Sequence, residues 1–210
     1  MKITRALARL AAVGAVAGTT VALSTSGAHA VGLNVEYDAT GTSHVAHTDS
    51  DLWIKPTTLS LTVESADGTF TGHLPILPAD TKFHVLGLLP IKAQVNFVEA
   101  APLTGALHQT ANGVQVTSSA SYYIRLSDVL VGGIPTYVGD HCQTKDPVVV
   151  EADTPAGGSF DLNNGGELTG TFSIGDFQNC FLETGLINLL VPGSGNTIDL
   201  TVSNGRLSVA

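Results

Sequence analysis

Basic residues are scarce in this chain. It carries nine Lys and Arg against 18 Asp and Glu, and three of the nine, Lys2, Arg5 and Arg9, fall within the first ten positions. The other six, Lys55, Lys82, Lys92, Arg125, Lys145 and Arg206, are scattered singly. Phosphate backbones are bound where clustered cations release counterions, so this pattern argues for no nucleic-acid partner and against attraction to anionic headgroups. Aromatic residues are also few, one Trp, four Tyr and seven Phe, and the chain ends in Ala210. The aromatic girdles of an outer-membrane barrel are therefore lacking.

Two cysteines are too few for a zinc centre built from paired Cys/His motifs at short spacing. No G-x-S-x-G elbow or H-E-x-x-H pair occurs, and "VPGSGNT" lacks the lysine of a phosphate-binding loop. "DLNNGGE" at 161–167 misplaces the glycine and distal glutamate of a calcium loop and reads instead as a hairpin turn. No cofactor is implied, and no catalytic constellation stands out.

What is present begins with "MKITRALARL AAVGAVAGTT VALSTSGAHA". A basic start, a short apolar run from Leu10 to Leu23 and Ala28-His29-Ala30 make a secretory signal peptide, cleaved after Ala30. Six basic and 18 acidic residues remain beyond it, a net charge of −12. No cysteine follows the apolar run for lipid attachment. The expectation is a secreted protein, free or held non-covalently in the cell envelope, with no transmembrane segment after cleavage.

Charged residues make up 13% of the chain and hydrophobic ones 43%, the reverse of a disordered composition. Residues 31–210 are long enough to bury roughly 70% of their extended surface in one domain. Apolar residues alternate at Leu59, Leu61, Val63; Phe70, Gly72, Leu74; Ala93, Val95, Phe97; Tyr122, Ile124, Leu126; and Ile198, Leu200, Val202. A period of two puts each set on one face of a strand. Between them "SADGT", "TANGV", "NNGGE" and "SNGR" supply turn residues that accept positive φ. About ten strands are expected in an all-β, antiparallel β-sandwich, immunoglobulin-like or related, with a small β-barrel as the alternative. One short helix is allowed near 184–191, capped by Thr184 and stopped by Pro192. Pro75, Pro78, Pro90 and Pro102 should lie in loops or at edges.

Three phrases, "FTGHL", "LTGAL" and "LTGTF", set Gly72, Gly105 and Gly170 between large apolar neighbours. Each marks a bulge or a close backbone approach. Cys142 and Cys180 are expected to form a disulfide, on their number and an oxidising compartment. His141 beside Cys142 does not argue for a thiolate pair, because strand neighbours face opposite ways.

Weak candidates for a metal are His47, Asp49 and Asp51, which would share a face if their segment were a strand; a wetted loop explains them equally. His73 and His108 could form a pH-sensitive patch, and Asp38 with Asp49 a glycosidase pair. "FTGHLPILP", "VGDHCQTKDPV" and "LTGTFSIGDFQNC" together resemble a group of small secreted actinobacterial β-sandwich proteins of unassigned function. That resemblance implies bonded cysteines and carries over no catalytic residue. The leading functional expectation is a non-catalytic binding or structural protein. A carrier of lipid or another apolar ligand, lined by "HVLGLLPI" and "GLINLLV", comes second, and a hydrolase ranks below both.

Overall fold

The computed structural model describes residues 32–85, 88–111 and 113–207. The signal peptide read from residues 1–30 lies outside them. The chain forms β1 (Gly32–Val45), β2 (Ser50–Glu64), β3 (Thr69–His73), β4 (Ala79–Val85), β5 (Leu89–Thr110), β6 (Gly113–Val131), β7 (Ile134–Pro135), β8 (Gln143–Thr144), β9 (Val148–Glu151), β10 (Gly165–Ile174), β11 (Phe177–Gln178), the helix α1 (Thr184–Leu190) and β12 (Gly193–Leu207). Among the described residues every strand pairing is antiparallel and the one α-helix is short, as expected from the alternating pattern.

Pairings run from β6 through β9, β10, β12, β1, β2, β3 and β5 and return to β6. The sheet therefore folds over and meets itself around an apolar interior. Its inward side chains form two clusters. One contains Val45, Leu52, Val95, Ile124, Phe177 and Ile187; the other contains Tyr37, Leu59, Phe70, Phe160, Leu168 and Leu200. An apolar interior is the reverse of an outer-membrane pore, whose lumen is polar.

Sharp coiling depends on glycine at the points the repeated phrases marked. A Cβ at Gly170 would overlap the carbonyl oxygen of Glu151, one at Gly72 that of Ser60, and one at Gly105 both the Phe70 ring and the Thr117 carbonyl. Close backbone approach is thus the reason for these residues. Pro75 and Pro78 lie in the loop before β4, but Pro90 and Pro102 fall inside β5. Pro102 sits within the register shift between Ala101 and Thr104, where β5 passes from β4 to β3 as its partner. No regular ladder donor is required of it there.

Register fixes two different ends. At one end lie the β1–β2 connection (Val45 opposite Ser50), the β4–β5 turn (Val85 opposite Leu89), the β6–β7 turn (Val131 opposite Ile134) and the entry from α1 into β12 (Ile174 opposite Gly193). A hydrogen bond from Lys55 Nζ to Pro78 O, 2.6 Å, sets the direction of β4 beside β2. At the other end are the polar hairpins around 64–69, 110–113 and 161–165, whereas "SNGR", expected as a turn, lies within β12, where left-handed Asn204 sits at a register shift against β1. Asp161 Oδ1 accepts from Asn163 N at 2.9 Å and Asn164 N at 2.7 Å, so "DLNNGGE" is the hairpin turn its composition implied.

Candidate functional site

Cys142 and Cys180 are bonded, with S–S 2.05 Å and a sequence separation of 38. Both are fully buried, whereas His141 is exposed. The adjacent imidazole and sulfur therefore face different surroundings. The bond joins the turn before β8 to the segment that leads into α1, and both sulfurs belong to the core cluster at the α1 end.

The segment after Cys180 is held tightly yet turned outward. Asn179 and Phe181 adopt left-handed backbone, with φ of 58° and 54°. For phenylalanine that conformation costs about 1–2 kcal/mol, and the surrounding bonds maintain it. Thr184 Oγ1 accepts from Cys180 N at 3.1 Å and donates to Phe181 O at 3.1 Å. It is the first residue of α1; Glu183 occupies the N-cap, without a side-chain cap. Asn188 clamps the helix to β11: its Oδ1 accepts from Phe177 N at 2.6 Å and its Nδ2 donates to Phe177 O at 3.0 Å.

Within α1 only Ile187 is buried. Leu182, in the 3₁₀ turn Phe181–Glu183 just before the helix, and Leu189, on the helix face away from Ile187, point to solvent, while Leu186 on the flank is 41% exposed and also lines the interior cavity. Leu182 is 83% exposed and Leu189 70%. Phe181 is also exposed and packs edge-on against exposed Tyr137, ring centroids 5.8 Å apart. The two neighbouring turns at this end add Leu88, 87% exposed, and Ile134, 69%. Segments 85–91, 129–139 and 184–195 contain no charged residue. Two turns at this end are thus charge-free and the β11–β12 connection carries Glu183 as its one charged residue, and all three project large apolar side chains into solvent, while the β1–β2 connection beside them carries Asp49.

Inside the sheet the free volume is about 160 Å³, lined almost wholly by apolar side chains. An apolar cavity of this order holds a molecule the size of benzene, whereas ligand pockets run to several hundred Å³. A second concavity, a groove of about 1050 Å³, crosses the outer faces of β5 and β6 and is lined in part by Asn96, Arg125, Asp128, Tyr137 and Asp140. Arg125 Nη2 donates to Gln143 Oε1 at 3.3 Å, and its buried Nε has no hydrogen-bond partner among the described residues. The groove brings one guanidinium and two carboxylates together, with no histidine or cysteine in its lining.

The metal candidates do not form a shared face. Residues 46–48 make a single 3₁₀ turn, and Asp49 is left-handed. The strand that would have aligned His47, Asp49 and Asp51 is interrupted. His47 Nδ1 donates to Pro192 O at 2.6 Å and is thereby turned toward the α1–β12 junction. His44, not His47, meets the carboxylates: its Nδ1 lies 2.8 Å from Asp51 Oδ1 and its Nε2 lies 3.8 Å from Asp49 Oδ1. Among the described residues no group of three His, Cys, Asp or Glu is arranged to hold a metal ion.

His73 and His108 are separated as well. His73 Nδ1 lies 2.9 Å from Glu99 Oε2, while His108 Nε2 lies 3.1 Å from Thr117 Oγ1. Gly72 pairs with Leu103, which places His108 about five residues, roughly 17 Å, farther along β5. Glu99 anchors a local network: its Oε1 accepts from Leu74 N at 2.8 Å, and buried Tyr122 donates its hydroxyl to Leu74 O at 2.8 Å. Burial, and then the charge of Glu99, push the Tyr122 phenol well above its ordinary range. Asp38 binds Arg206 Nη2 at 2.8 Å and Asn204 Nδ2 at 2.9 Å, and these bonds hold its carboxyl below the usual value. Seven residues of β1 separate it from Val45, roughly 23 Å, well beyond the reach of a glycosidase carboxyl pair with Asp49.

The residues that sequence reading missed are those of the apolar end. Leu189 read from the sequence as pocket lining or core closure but faces solvent, whereas Leu186, half-exposed, lines the interior cavity with Ile187, Leu190 and Val191 as that reading expected. The available signal was the scarcity of charge across three separate connections, Glu183 being their one charged residue, which only the register brings to one end. Comparison with family models, with curated proteins and with solved structures finds no match to this chain.

Proposed function

We propose that this is a non-catalytic exported protein whose function is binding, and that it binds through the α1 end. The observation that carries this reading is the pair of exposed leucines Leu182, just before α1, and Leu189, on it, rigidly presented by the disulfide, the Asn188 clamp and the Ile187 plug. Large apolar surface costs free energy in water, so its retention on a preorganised element favours a docking role. The buried disulfide is compatible with the oxidising compartment that the amino-terminal sequence implies.

The small interior volume supports docking outside the sheet over carriage of a lipid within it. The test is the distribution of wild type and of Leu182→Glu/Leu189→Glu between culture medium and cell envelope after export. Wild type should be retained on the envelope and the variant released. Equal distribution of the two, or an apolar molecule seen in the wild type by native mass spectrometry and kept by the variant, would refute the reading.

A further inference from the structure

We propose that the α1 end docks on an uncharged lipid surface, inserting its apolar side chains to the depth of the headgroup boundary. The inference rests on the binding role assigned to this end and names its partner.

Charge selects that partner. The chain carries a formal charge of −9, yet segments 85–91, 129–139 and 184–195 carry none. No lysine or arginine lies on these connections to meet an anionic lipid surface, and the carboxylates of this end, Glu183 between Leu182 and Thr184 and Asp49 and Asp51 at the β1–β2 connection, border the apolar projections. What remains is an interface whose gain is apolar. Shape points the same way. The exposed residues sit on separate projecting turns: Leu88 on the β4–β5 turn, Ile134 on the β6–β7 turn, and Leu182, Leu186 and Leu189 on the segment through α1. A fluid layer closes around separated projections. A protein partner would need matching holes and hydrogen bonds for a rim, and a second copy would set projection against projection. Phe181 and Tyr137 complete the arrangement. Their rings touch, and the Tyr137 hydroxyl reaches Asp140 Oδ1 at 3.4 Å, so an apolar ring and a wet hydroxyl lie at the edge of the patch as aromatic residues do at a bilayer boundary.

Helix α1 has the alignment that insertion needs. Its inward side is fixed by Ile187 and Asn188, so the outward leucines cannot fold back to cover themselves. The strained backbone at Phe181 holds that ring outward where a glycine would sit without cost.

The experiment is flotation of exported protein with phosphatidylcholine vesicles, comparing wild type and Leu182→Glu/Leu189→Glu with the same amino terminus, checked by mass spectrometry. Leu182 and Leu189 are largely exposed, so the variant should fold, and an unchanged circular dichroism spectrum and melting profile establish that it has. Wild type should float, the variant should partition about 100-fold more weakly, and wild-type binding should be unchanged by salt and weakened by added phosphatidylserine. In a second measurement, Leu182→Trp should show a blue-shifted emission on adding the vesicles. Failure of the wild type to float, equal flotation of the variant, or binding that requires phosphatidylserine would overturn the inference. So would a wild-type dimer in sedimentation velocity that becomes monomeric in the variant without any vesicle binding. If vesicle binding fails while the same substitutions still release the protein from the envelope, the lipid partner is wrong and the binding role stands. If neither changes, both fall.

Discussion

Replacing both cysteines, Cys142→Ala with Cys180→Ala, tests how the α1 end is held. The bond closes a segment spanning 38 positions, and removing such a constraint from the unfolded chain costs about 4 kcal/mol in the loop-entropy treatment. Both sulfurs are fully buried in the cluster that contains Phe177 and Ile187, so their loss adds about 1 kcal/mol each in packing. Relaxation of the left-handed backbone at Asn179 and Phe181 would return up to about 2 kcal/mol. The net expectation is a loss of about 4 kcal/mol, a large share of the roughly 5–15 kcal/mol available to a domain. It should lower the melting temperature by about 8–16 °C. Urea and thermal unfolding followed by circular dichroism measure the total, with reduced and alkylated wild type as the parallel sample. Hydrogen exchange locates it: amides of 179–191 should lose protection first, because that segment would then be held mainly by the Asn188 bonds to Phe177, buried Ile187 and the Phe181–Tyr137 contact. A melting temperature within about 3 °C of wild type would refute the reasoning. It would mean that the unfolded chain is already restricted or that native strain offsets the closure.

Asn196 is fully buried, accepts from Ala46 N at 3.1 Å and donates to Phe172 O at 3.1 Å and Gly193 O at 3.0 Å. Asn196→Ala should cost about 3–5 kcal/mol by equilibrium unfolding. Asn196→Asp would aim a carboxylate at two carbonyls, so its folded pKa should rise. Its stability should be best below pH of about 4 and fall as pH increases, because the unfolded state ionises first. Gly170→Ala should cost roughly 3 kcal/mol or prevent folding, because the methyl group meets the Glu151 backbone; a neutral result would contradict the close approach. Phe181→Gly should be at least about 1 kcal/mol more stable than Phe181→Ala, since alanine retains the left-handed strain. Tyr122 and Tyr37 both have phenols raised mainly by burial. Above pH of about 10 the unfolded chain releases their protons while the folded one keeps them, so wild-type stability should fall as pH rises past that point. Tyr122→Phe should flatten this fall while losing about 1 kcal/mol at neutral pH with the Leu74 hydrogen bond.

Alternating residues such as Tyr122, Ile124 and Leu126 were readable as strand faces because a period of two is a local property of extended backbone. The glycines at 72, 105 and 170 were readable as close approaches, since a missing side chain between large neighbours has few other uses. Pro102 was misread, because whether a strand position needs a donor depends on which partner lies beside it. His47 failed for a related reason: the 3₁₀ turn at 46–48 is fixed partly by distant Asn196, whose Oδ1 receives Ala46 N.

The sequence by itself determined the all-β antiparallel class, three of the four turns read from it, the short helix and the cysteine pair, because alternation, turn chemistry and residue count act over a few neighbours or none; "SNGR" became a bulge within β12. Only the tertiary structure decided that Ile187 faces in while Leu189 faces out, and that three connections with a single charged residue, Glu183, lie at one end. Strand register sets those relations, and register is a balance of packing between residues as far apart as His44 and Thr197, which no local pattern contains.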